Sequence, residues 1–234
     1  MKVVFIFAHP DDETFSSAGT IIKLRKKGVE VVLITATRGE AGQLGDPPVT
    51  TQENLGKIRE QELRNAAKIT GIQNIYFLDF IDGTLVNQSD AKLLSKIWPI
   101  VKKEAPDVIV TFNAEGGSRH PDHMKIHTVA THVFEKYLKV TKKHVRLYYT
   151  GMSRSMVKKL EEMGMAYTAF GKIEGTPDEQ ITTIVDIKDV YTTKIKALRC
   201  HVTQRKDWER FLKGAQIMDR KKEYFTLASE NMLE

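Results

Sequence analysis

With 234 residues, 41% of them hydrophobic, the chain can bury one sizeable domain, or one and a half. Its 36 Lys and Arg against 30 Asp and Glu leave a net charge of +6, and the excess is spread along helices and interleaved with Glu, as on a solvated surface rather than a nucleic-acid-binding one. Cys200 is the single cysteine, which excludes an internal disulfide and a Cys-rich zinc site; no signal-peptide pattern and no run of ~18 apolar residues is present, so a cytoplasmic location and no membrane span are expected.

The first element is the apolar run Val3 to Ala8, a buried strand that ends in His9-Pro10-Asp11-Asp12-Glu13. Clustered carboxylates repel one another unless a cation or a reaction uses them. A helix over 16–27 and a strand over 29–36 follow, and then a long Gly- and Pro-rich loop from Thr37 to about Thr51, suited to a wall or lid. Next come a helix over 53–70, a strand over 75–78, the turn signal Asp82-Gly83 and a helix over 90–104. A second apolar strand, 107–112, leads through Gly116-Gly117 into His120-Pro121-Asp122-His123. Beyond a basic stretch, Lys139 to Arg146, strands are expected over 145–150 and 182–186, and helices over 153–163 and 188–200.

Alternating strands and helices predict an α/β fold: a Rossmann-like, doubly wound, mostly parallel sheet with helices on both faces. Residues 1–140 would form the core and 141–234 a C-terminal extension of the same single domain. In the common strand order 3-2-1-4-5, strands 1 and 4 are neighbours where the winding reverses, and ligands bind outside their carboxyl ends. Both His/Asp motifs fall there. His9 and Asp12, three residues apart, can reach one ion, and His123 can add a third ligand from the neighbouring strand. Two nitrogens, one carboxylate oxygen and an open position describe a catalytic zinc site, where zinc makes hydroxide available at neutral pH. A remaining carboxylate, Asp11 or Asp12, can take the water's proton, and the remaining histidine can face charge on the substrate. Spacing alone leaves open which residue does which.

Ala8-His9-Pro10-Asp11-Asp12-Glu13 together with His120-Pro121-Asp122-His123 resembles the LmbE-like, or PIG-L, family of zinc-dependent N-acetylglucosamine deacetylases. The likeness continues through Thr37-Arg38-Gly39-Glu40, Arg59-Glu60-Gln61-Glu62-Leu63 and Asp82-Gly83, and weakly through His201 to Gln204. It implies that His9, Asp12 and His123 hold one Zn²⁺ per chain, with Fe²⁺ or another divalent metal also compatible. Asp11 would be the general base. His120, protonated, would stabilise the oxyanion or protonate the leaving amine. Asp122 would orient His120, and Arg59 would bind substrate. Some members carry a Tyr before the second motif, where this chain has Ser118-Arg119.

The implied reaction removes the acetyl group from an N-acetylglucosamine conjugate, a small molecule, releasing acetate and a free amine; a homo-oligomer is compatible. An amidase for another acyl amide, such as a thiol-sugar conjugate or an acylated antibiotic sugar, is the alternative within the same fold. A non-haem iron oxygenase would use the same three ligands but has no use for a further carboxylate and histidine. A dinucleotide-binding module is disfavoured because acidic residues, not a Gly-rich turn, follow the first strand. Glu13 reads equally as an early helical acid or as a support for a ligand. His127, His132 and His144 read as ordinary hydrogen-bonded residues, with His127 on the same helical face as His123.

Overall fold

The fold was analysed in a computed structural model, which describes residues 1–215 and 221–230. Five parallel strands form its centre: β1 (Lys2–Phe7), β2 (Glu30–Thr37), β3 (Asn74–Phe80), β4 (Val108–Phe112) and β5 (Arg146–Gly151). Their order, β3-β2-β1-β4-β5, is the predicted one. Val3 to Phe7 are all buried, which is why β1 reads as an unbroken apolar run: in a parallel sheet both faces are covered. The covering helices are α1 (Asp12–Lys26), α2 (Leu55–Thr70), α3 (Asp90–Glu104) and α4 (Pro121–Leu138), with α3 packed on α4 and α1 on α2.

The later part of the chain holds α5 (Arg154–Glu162), the small hairpin β6 (Tyr167–Thr168) and β7 (Gly171–Lys172), β8 (Thr183–Asp186), α6 (Tyr191–Leu198), α7 (Arg205–Ala215) and β9 (Lys222–Glu230). β9 pairs antiparallel with β5 and with β8, so the sheet has seven strands ending β5-β9-β8. Neither the hairpin nor β9 was foreseen from the sequence. The basic stretch is partly neutralised: Lys143 sits 3.3 Å from Asp107, and Arg146 sits 2.9 Å from Glu230. Among the described residues, no helix is long and apolar enough to cross a membrane.

Candidate active site

β1 and β4 run side by side in register, Val3 against Val108 and Phe5 against Val110, so the two motifs leave the sheet at one edge. Each motif opens a helix. Asp11 is the N-cap of α1 and His120 that of α4, with Pro121 in the first turn, where its missing N–H costs nothing. The predicted helix start at residue 16 moves to Asp12 because the acidic cluster itself forms the first turn. Carboxylates there are favoured by the unpaired amides and positive end of the helix. Gly116, at φ 67°, carries no Cβ because one would sit 2.7 Å from that of His123.

The donor atoms converge on one point. His9 Nδ1 lies 3.0 Å from His123 Nε2, and His123 Nε2 lies 3.2 Å from Asp12 Oδ1. His9 Nδ1 lies 3.7 Å from the other Asp12 oxygen, Oδ2, which is taken by backbone amides. Ligands held at about 2.0–2.2 Å by a tetrahedral Zn²⁺ stand roughly 3.3–3.5 Å apart, so these spacings fit a metal. Proton positions make the same point. His123 Nδ1 faces the Gly116 carbonyl at 2.9 Å, and a carbonyl only accepts, so the ring proton sits on Nδ1. His9 Nε2 faces Asp82 Oδ1 at 2.8 Å and Asp122 Oδ2 at 3.3 Å, so its proton points to them. In the neutral rings, Nδ1 of His9 and Nε2 of His123 therefore turn lone pairs toward each other and toward a carboxylate. Without a metal, a proton on His9 Nδ1 donated to His123 Nε2 relieves that arrangement; a divalent cation would displace it and take the three lone pairs. Burial works against a charge on His9, yet hydrogen bonds to Asp122 and Asp82 and the Asp12 charge prevail and lift its pKa to about 10. A second set is also near: ring nitrogens of His9, His120 and His123 lie within 4.8 Å of one another.

Two residues stand differently from expectation. Asp122 is fully buried and bonds to His9, taking further hydrogen bonds from the Gly83 amide at 2.8 Å and the Leu85 amide at 3.0 Å. Its carboxylate thus orients His9, while its amide donates to His120 Nδ1 at 3.2 Å. Arg59, a substrate contact by resemblance, is enclosed by protein. Buried, it donates through Nη2 to Pro10 O at 2.6 Å and Asp11 Oδ2 at 3.1 Å, and through Nη1 to Gly39 O at 3.0 Å. A Cβ on Gly39, at φ 74°, would fall 2.2 Å from Nη1. Arg59 braces the first motif against the loop after β2 and also lines the cavity over the motifs. Glu62 accepts from Thr203, through its amide at 2.8 Å and its hydroxyl at 2.7 Å.

In the sequence Asp82 belongs to a turn signal and to the family resemblance, with no chemical role attached. Burial raises its pKa, but the hydrogen bond and charge of His9 and the Arg59 charge outweigh that and bring it to about 2. It is an ionised partner that fixes the His9 tautomer. We predict that Asp82→Asn weakens metal binding by roughly 10–100-fold, as loss of a partner behind a ligand usually does. Competition against a chromophoric chelator measures this, and unchanged affinity would remove Asp82 from the site.

His120 accepts the Asp122 amide at Nδ1, 3.2 Å away, so its neutral ring carries the proton on Nε2. Burial and the positive charge shared by His9 and His123 push its pKa down to about 4. The resemblance implies a protonated His120; a neutral ring accepting at Nδ1 would instead present an N–H at Nε2. Phe170, on the β6–β7 hairpin, meets its ring edge-on at 4.5 Å. His127 binds the Phe112 carbonyl at 2.9 Å, His144 lies 3.1 Å from Glu230 Oε2, and His132 lies 3.7 Å from Asp90, all as structural residues. A cavity of about 930 Å³ opens over the motifs. Ala41 to Gln43 form one wall, as the long loop suggested, while Phe15, Met152, Met156, Ile173 and Phe211 form an apolar arm.

Comparison with known proteins gives this geometry a context. Residues 4–134 match the family model described as PIG-L, GlcNAc-PI de-N-acetylase. The chain is 30% identical to a 1D-myo-inositol 2-acetamido-2-deoxy-alpha-D-glucopyranoside deacetylase of Saccharopolyspora erythraea, over 92% of this chain and 82% of that one. An Actinosynnema mirum protein of the same name is 28% identical, over 92% of this chain and 84% of its own length. Among solved structures, N,N'-diacetylchitobiose deacetylase from Pyrococcus horikoshii superposes with a TM-score of 0.71 at 24% identity, covering 97% of this chain and 83% of that one. A 4-carboxy-2-hydroxymuconate hydratase from Pseudomonas putida superposes at 0.70 with 19% identity, covering 100% of this chain and 99% of that one, so the fold by itself does not choose the reaction.

Proposed function

The chain belongs to the PIG-L family of GlcNAc-PI de-N-acetylases, and on that basis we propose that it is a metal-dependent hydrolase removing the N-acetyl group from an N-acetylglucosamine-containing small molecule. The observation carrying this reading is the set of inward lone pairs of His9, His123 and Asp12 beside a further carboxylate, Asp11, in one cavity. His9, Asp12 and His123 would hold a single Zn²⁺. Bound there, a divalent metal polarises the acetamide carbonyl and acidifies water.

The remaining steps fall to side chains of this protein. Arg59 occupies Oδ2 of Asp11, leaving Oδ1 to take the proton from the attacking water. His120 donates from Nε2 to the oxygen that becomes negative as the carbonyl carbon turns tetrahedral, the role of an oxyanion-hole donor. Asp11 then returns the proton to the sugar nitrogen, the C–N bond breaks, and acetate and the amine leave. Asp82 and Asp122 keep the His9 lone pair on the metal side. The cavity is at the upper end of the ~300–1,000 Å³ usual for small-molecule sites, so its apolar arm has room for the rest of a conjugate.

Metal-loaded protein incubated with a panel of N-acetylglucosamine conjugates, with amine and acetate both measured, tests the reading. Equal release of the two supports it. Release of amine only from other acyl amides would shift the assignment to a different amidase. Arg59 gives a further test. With Asp11 left as a buried carboxylate without its cation, Arg59→Ala should lower stability by about 3–5 kcal/mol. The variant should also lose kcat at nearly constant KM, because the group it supports takes part in the reaction rather than in ground-state binding. A raised KM with normal kcat would return Arg59 to substrate binding.

A further inference from the structure

We propose that His201, which lies 190 residues beyond Asp11, is a positioning residue for it, acting through Thr14 and Glu13; the inference rests on the reading of Asp11 as the base. Asp11 has φ 110° and ψ −25°, a left-handed backbone for a residue with a side chain. Such a conformation costs of order 1–3 kcal/mol and persists only where its surroundings hold it. Arg59 holds one side, through the Pro10 carbonyl and the Asp11 carboxylate. On the other side Glu13 Oε2 accepts the Asp11 amide at 3.3 Å.

Glu13 is only 1% exposed and is itself held. The Thr14 hydroxyl donates to Glu13 Oε1. That uses the one hydroxyl proton, so Thr14 Oγ1 can only accept from His201 Nε2, 3.2 Å away. Thr14 and His201 are both 0% exposed, and His201 Nδ1 has no hydrogen-bond partner. The imidazole therefore carries its proton on Nε2 and leaves a bare lone pair at Nδ1. A side chain serving only to fill space there would be apolar, since a buried polar atom left unpaired costs free energy. His201 thus supplies one directed N–H, and the chain of bonds runs from it through Thr14 and Glu13 to the Asp11 amide. The ring is seated firmly. Trp208 donates to the His201 carbonyl at 3.2 Å, and Thr203 clasps Glu62 on α2.

Three variants test the relay: His201→Leu removes the donor and keeps bulk, Thr14→Val breaks the middle link in the same shape, and His201→Gln restores an N–H near Nε2. In the metal-free protein, amide exchange at Asp11 should speed up by about tenfold in the Leu and Val variants and stay near the wild-type rate in His201→Gln. Per metal-loaded site, kcat should fall by about tenfold in Leu and Val at unchanged KM and metal content, and His201→Gln should recover most of it. The Leu/Val double variant should be no worse than either single one. Wild-type exchange at Asp11 in the Leu variant, equal loss in Leu and Gln, or multiplying losses in the double variant would overturn the relay. Were the wild type to release no amine from any acetamido sugar, the functional reading would fail, and the exchange data alone would decide on the relay.

Discussion

Asp11→Asn is expected to keep its metal and lose turnover by roughly 10²-fold to 10⁴-fold, the span for removing a general base. The substitution preserves shape, and an amide oxygen still accepts from Arg59 Nη2. What it removes is the ability to take a proton. Burial pushes the Asp11 carboxyl well above the usual carboxylate range; the Arg59 charge opposes this, and Asp12 and Glu13 add to it. A base works only when deprotonated, so kcat/KM of the wild type should fall as pH drops through that raised value, and the residual activity of Asp11→Asn should lack this limb. His120, held near 4, stays neutral over the same range and contributes no basic limb. Metal content together with single-turnover rates checks the prediction. An Asp11→Asn enzyme that is metal-replete and works near the wild-type rate would leave Asp11 as a structural cap.

The second large effect separates the proposed ligand set from the alternative of three histidines; a further group, His9 with Asp82 and Asp122, lies on the Nε2 side of His9. His9 and His123 belong to the first two sets, while Asp12 and His120 compete for the third place. His123→Ala should lose metal affinity by more than the roughly 100-fold that marks the upper range for partners behind the ligands. His120→Ala should stay metal-replete and lose turnover, because its Nδ1 is engaged by the Asp122 amide and its Nε2–H is a donor. Asp12 is held for ligation: Oδ2 accepts the His9 amide at 2.7 Å and the Ala8 amide at 3.2 Å, leaving Oδ1 free of backbone partners 3.2 Å from the His123 Nε2 lone pair. Metal analysis of the His123→Ala, His120→Ala and Asp12→Ala variants decides. A metal-free His120→Ala alongside a replete Asp12→Ala would assign the site to three histidines.

The parallel core was legible because β1 and β4 are buried on both faces and so read as plain apolar runs, each ending in a motif of unusual polarity. Winding order then brought the motifs together with no further information. Asp82 escaped because an Asp-Gly pair has a sufficient explanation as a turn, and its approach to His9 is a contact across 73 residues. The contacts of Arg59 with Pro10, Asp11 and Gly39, and of Asp122 with His9, were not legible, since a motif along one helix says nothing about which loop folds over it. The β6–β7 hairpin, two residues per strand, is too short to leave a period in the sequence. β9 was missed beyond a helix of mixed polarity, although it supplies Glu223, which takes the Gly19 and Thr20 amides at 2.9 and 2.7 Å and the buried Lys194 ammonium at 2.7 Å.

The place of β9 bears on how the polypeptide matures. All the proposed metal donors are synthesised by residue 123, whereas residues 222–230 follow every element they join. Until they emerge, the β5 edge offers unpaired backbone groups to any passing strand, β8 has no partner in the sheet, and Lys194 has no counter-ion. A nascent chain can therefore capture its ion early while still vulnerable to aggregation. A premature stop before residue 222 would produce a protein with every proposed donor and no closed sheet, prey for proteolysis rather than a slow enzyme.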